Sequence, residues 1–278
     1  TYTIGHRLPW GSMVAGYLVT KAIAAGVMLV ASLLVLLGHG NEQIAVGVGP
    51  PMVAGVFLIL TGVFLVADLK QPKRFHFLFT RGNRNSWLVK GAYVLVGFSL
   101  LCAIWWIAAL ADAGDFLRVL VFPTVILALG TAAYTAFLFA QCEGRDLWQG
   151  RMLLPVLSTQ AVFAGGAAFT VLDLFLDLPK ANAVHLALLI GLALNIGLVV
   201  FEITGRHSRH VPLAFAELTN GAQRPRFVAW MLGSVTGCCL VALDFGEVPS
   251  AIGALAALTG LFAYEDAYVR AGQSVPLS

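Results

Sequence analysis

The chain has 278 residues, 59% of them hydrophobic and only 11% charged, with a formal net charge of +3. A mean hydropathy of +0.86 excludes a water-soluble domain, whose surface would need far more polar side chains. The apolar runs are continuous, without polar residues at alternate positions, which excludes a membrane β-barrel; no polar stretch is long enough for a separate soluble domain.

Eight apolar runs each approach the roughly 20 residues that cross about 30 Å of hydrocarbon. They predict an all-α integral membrane protein with helices over 13–37, 45–67, 88–111, 117–140, 153–175, 183–204, 227–244 and 249–268. An even number of crossings places both termini on one side. Thr1 in first position implies that an initiator segment is missing, and the first run, without a small-residue cleavage site, reads as a retained span.

The first run holds Tyr17 and, four residues on, Lys21, on one helical face. A lysine at a helix centre costs about 2.5–3.5 kcal/mol on insertion scales, so it needs an explanation. One reading is a lysine that snorkels to the interface or pairs with Asp68 at the end of the second run. The other is a polar pocket in which Tyr17, Lys21 and Asp68 bind a ligand and move protons. Tyr134, in the fourth run before Gln141, falls at a similar depth and would complete that pocket. Later runs carry Gln160, Asn195, Glu202, Glu265 and Asp266. The last three lie near the membrane face, where pairing with arginines is the default; Gln160, Asn195 and Glu202 also form a sparse candidate proton path. Ala164–Gly165–Gly166–Ala167–Ala168 is a small-residue stretch suited to close helix packing.

Let face A be the side on which the first span starts. Fourteen of the 17 Lys and Arg residues then fall on face A, Arg118 and Lys180 fall on face B, and Lys21 lies within a span. Basic loops stay cytoplasmic, so face A and both termini are expected in the cytoplasm. The four cysteines, Cys102, Cys142, Cys238 and Cys239, show no metal-ligand spacing and read as small buried hydrophobes.

The loop between spans two and three is the most specific segment. It reads Asp68-Leu69-Lys70-Gln71-Pro72-Lys73-Arg74-Phe75, then His76 to Thr80-Arg81-Gly82-Asn83-Arg84, then Ser86-Trp87. Aromatic residues alternate with cations, as in a segment that lies in the interface and presents charge to a partner. The pattern Asp-Leu-x-x-Pro-x-Arg-Phe, Thr-Arg-x-Asn and Ser-Trp resembles the NrfD/PsrC family, membrane subunits of polysulfide-reductase-like oxidoreductases. Ala22-Ile23-Ala24-Ala25-Gly26 and the eight-span layout are similar to that family too.

The resemblance implies two four-helix bundles, here residues 1–145 and 146–278, with a quinone pocket in the first. It implies an iron–sulfur subunit docked beside that pocket, connected to a molybdopterin catalytic subunit. Tyr134 matches a quinone-contacting tyrosine of the fourth span. Tyr17 and Lys21 stand where the family's first span supplies an Asn and a His. The expected quinone site is therefore Tyr17, Lys21, Asp68 and Tyr134, with Lys21 and Asp68 handling protons. Lys70, Lys73, Arg74, His76, Arg81, Arg84 and Trp87 are the expected docking residues. Many family members dock their partner on the periplasmic face; the charge rule favours the cytoplasm for this chain, in a bacterial or archaeal inner membrane.

Haem b would need paired histidines at depth, and an iron–sulfur cluster a set of cysteines. The six histidines (6, 39, 76, 185, 207 and 210) fall in loops or near span ends. No haem or cluster is expected within the chain, only a menaquinone or ubiquinone. The rival reading is a secondary transporter with a buried charged-substrate or proton site. Two halves with faintly similar segments, Arg84-Asn85-Ser86-Trp87 and Arg224-Pro225-Arg226-Phe227, would suit one.

Overall fold

The computed structural model describes residues 9–40, 42–69, 71–176, 181–205 and 210–275, and among these there is no strand. Helix α1 (Ser12–Leu34) continues in wider π-helical turns to His39. Similar wide turns over Gln43–Val48 lead into α2 (Gly49–Ala67). Then follow α3 (Trp87–Leu110), α4 (Gly114–Ala140), α5 (Leu153–Leu176), α6 (Ala181–Thr204), the short α7 (Val211–Thr219), α8 (Arg224–Ala242) and α9 (Glu247–Ser274). All but α7 are long and apolar enough to cross a membrane.

Seven predicted spans agree with these helices to within about three residues at each end, because hydrocarbon thickness sets their length. The eighth does not. Helix α9 runs on to Ser274, six residues past the predicted limit of 268. Its last turns are polar, so hydropathy ends before the helix does, and they bind the start of α1. The Asp266 carboxylate accepts from Arg226 Nε at 2.7 Å, Arg270 Nε at 2.9 Å and Ser12 Oγ at 3.0 Å. Gln273 accepts from the Trp10 backbone N–H and donates to the Trp10 carbonyl. Asp266 thus follows its arginine-pairing expectation, whereas its neighbour Glu265 turns inward.

Helix α1 is the packing centre, with α2, α4, α5 and α9 around it. Gly26 and Gly165 bring α1 and α5 backbone to backbone: a Cβ on either glycine would overlap the backbone of the other helix. Buried alanines at 24, 25, 161 and 164 flank this contact, and small residues at a membrane interface permit such an approach. Gly26→Leu is therefore expected to prevent assembly, with little folded protein recovered by size-exclusion chromatography. The four cysteines are free; Cys102 is buried as expected, while Cys239 points outward.

Candidate functional site

A cavity of about 760 Å³ lies between α1, α2, α3 and α4, roofed on face A by residues 68–69 and 71–79. Its walls are apolar, with Val14, Leu58, Leu65, Leu95 and Leu138 among them, and its polar groups gather towards face A. There Tyr17, Tyr134 and Asp68 meet Gln71 and Arg74. Three of the four expected quinone-site residues therefore line one cavity. Asp68 ends α2 and is exposed at the mouth.

Lys21 lies behind that wall, 1% exposed. Its Nζ donates to the Ala132 carbonyl at 2.8 Å and to Thr135 Oγ1. It also stands 4.6 Å from the Tyr134 ring centroid and 5.7 Å from that of Tyr17. Hydrogen bonds to a charged group contribute about 1.5–3 kcal/mol each, and a desolvated cation–π contact about 2 kcal/mol. These contacts offset part of the cost of burying the cation. Lys21 does not pair with Asp68: its hydrogen bonds go to α4.

Thr135 joins the two halves of this arrangement. Its Oγ1 accepts from Tyr17 Oη at 3.3 Å as well as from Lys21, so a hydroxyl links the buried lysine to a cavity-lining tyrosine. Sequence reasoning missed Thr135. The available signal was its position four residues after Thr131 and beside Tyr134, a hydroxyl stripe on α4. The Tyr134 ring is in turn seated on Gly91 of α3, where any Cβ would collide with it. Thr135→Val, similar in shape but without the acceptor, is expected to lower ligand-coupled turnover about tenfold, the worth of one hydrogen bond to a charged group. A Thr135→Ser variant should restore the rate, and the purified pair checks this.

The roof loop is a 3-10 turn at Pro72–Arg74 and a helical turn at Phe77–Thr80. Lys73, Arg74, His76, Arg81 and Arg84 are exposed on it; Lys70 lies outside the described residues. Trp87 is half-buried and anchors the loop, with its ring stacked on Phe137 at 4.3 Å and its backbone N–H donating to Gln141 Oε1 at 2.9 Å. Aromatic edges also fix the loop, Phe75 against Phe79 and Phe79 against Tyr93.

In the second half, Asn195 is fully buried, with Nδ2 donating to Thr159 Oγ1 at 3.3 Å. Gln160 lies beside Glu265, and Glu202 is buried against Gly150. All of these fall within the membrane half nearest face A. Among the described residues, no group of three or more His, Cys, Asp or Glu side chains is placed to hold a metal ion.

Eight apolar helices define a multi-pass membrane protein, and four of them enclose a cavity that is polar at one end. The family model described as polysulphide reductase, NrfD, matches residues 3–207, and the chain belongs to that family. Its members are membrane subunits of quinone-interacting oxidoreductase complexes. Among curated proteins, no sequence matches the chain.

Proposed function

We propose that the chain is the quinone-reactive subunit of a multi-subunit oxidoreductase, exchanging electrons with an iron–sulfur subunit seated on the roof loop. One observation carries this reading: the polar end of a 760 Å³ apolar cavity lies directly beneath exposed cations. A quinone head needs hydrogen-bonding partners at two oxygens and an apolar slot for its tail, and the cavity offers both. Bound there, quinone supplies a carrier of two electrons and two protons.

The chain's own residues bind, orient and handle protons. Tyr17 and Tyr134 face the ring oxygens, and Arg74 at the roof favours negative charge on them. Lys21 holds Tyr134 through its ring and Tyr17 through Thr135. Asp68, open to water at the mouth, exchanges protons with the face-A side. Lys73, His76, Arg81 and Arg84 orient the iron–sulfur partner, with a molybdopterin or other catalytic subunit beyond it. The charge rule places this face in the cytoplasm of a bacterial or archaeal cell. Residues 1–145 form the quinone-binding unit in this reading, and 146–278 carry any coupled proton movement through Gln160, Asn195 and Glu202.

Purification in mild detergent tests the proposal. An iron–sulfur protein is expected to co-purify, and Arg81→Glu with Arg84→Glu should release it while the membrane subunit stays folded. Reversing two charges at a docking face costs several kcal/mol through like-charge contact. Solute uptake by the isolated subunit, without any such partner, would instead favour the transporter reading.

A further inference from the structure

A second cavity, of about 510 Å³, lies between α2 and α3 and extends towards face B. Leu58 and Ser99 line both cavities, so the two adjoin and together follow one slot along α2 and α3. From Asp68 at the mouth to Pro51 at its far end the slot follows about 17 residues of α2, or about 26 Å. An occupant that fills both cavities has to be long.

The slot exists because side chains are missing where α2 faces it. Gly62 lines the upper cavity and Gly55 the lower, and a Cβ on either would meet nothing within 4 Å. The seven-residue spacing puts both on one face, about 10 Å apart. The lower cavity is chemically plain. Ser99 gives its hydroxyl to the Leu95 carbonyl of its own helix at 2.8 Å, which leaves Met52, Val56, Ile59 and Trp106 as the main contact surface. No charged side chain among the described residues lines it, so it offers nothing to a phospholipid headgroup. Polar groups gather at the other end, in the upper cavity.

We infer that the α2–α3 slot is the tail subsite of the ligand in the upper cavity and takes a polyprenyl chain that passes Gly55 and leaves near Trp106. The inference rests on the quinone reading of the upper cavity. Its specific content is the route and a preference for long tails. Trp106, exposed at the far end, suits the interfacial position where the tail re-enters lipid.

The test uses the intact complex in nanodiscs and two quinones with the same head, one with a long polyprenyl tail and one with a short alkyl tail. Binding is read from quenching of tryptophan fluorescence, since Trp10 lines the upper cavity. Gly55→Phe fills open space, so the fold is expected to tolerate it. It should weaken the long-tailed quinone about tenfold, roughly the worth of two buried methylenes, and leave the short-tailed one unchanged. A long-tailed quinone with a photoreactive group in its tail should label peptides of α2 and α3. An unchanged long-tailed affinity, an equal loss for both quinones, or labelling on other helices overturns the tail route while the head site stands. If neither quinone binds the unaltered complex, the head site falls and the tail route with it.

Discussion

Lys21→Met is expected to cut quinone-coupled turnover about 100-fold while the complex still assembles. The lysine supplies one hydrogen bond to Ala132, one to Thr135 and a cation over the Tyr134 ring. Methionine has similar length and no charge, so the volume stays filled and the loss is confined to the contacts of the ammonium group. Function is a separate matter. Without the cation, Thr135 and the two tyrosines lose the group that orients them. Loss of interactions worth about 3 kcal/mol lowers a rate about 100-fold. Quinol-dependent reduction of the partner's acceptor, measured on complex purified to the same subunit ratio as wild type, checks the expectation. Wild-type turnover in Lys21→Met would remove the lysine from the mechanism.

Lys21 was legible in the sequence because a cation within an apolar run costs enough to demand a reason. Its partners were not. Hydroxyls on membrane helices ordinarily bond back to their own helix, as Ser99 does to Leu95 and Ser158 to Leu154. Only its place beside Tyr134 and four residues after Thr131 separates Thr135, which turns to α1, from those. The neighbours Glu265 and Asp266 show a similar limit. Both looked like face-A residues awaiting arginines, but one residue of helix is about 100° of rotation, so Asp266 meets Arg226 and Arg270 while Glu265 points at Gln160. The slot between α2 and α3 was also invisible, because it depends on how far two helices stand apart. Span ends were readable wherever the bilayer sets them, and failed at α9, where protein contacts carry the helix onward.

Asp68→Asn is expected to cut turnover about 100-fold, the usual scale for a positioned proton acceptor, and to change the shape of its pH dependence. Asp68 closes α2, where the negative end of the helix dipole disfavours a second negative charge. Partial burial at the cavity mouth raises its pKa above the ordinary 3.8. As a proton acceptor, Asp68 works only when ionised, so wild-type turnover should fall as pH drops through this raised value. The asparagine variant should lack that acid limb. Stability has the opposite sign. Because the folded state holds the proton more tightly, the stabilisation is fully present below 3.8 and is lost as pH rises through the raised value. Asparagine stays neutral throughout, so at neutral pH the variant complex should melt no lower than wild type. Turnover that falls while the melting temperature holds separates a lost proton acceptor from a damaged fold. An unchanged acid limb in the variant would assign it to another group.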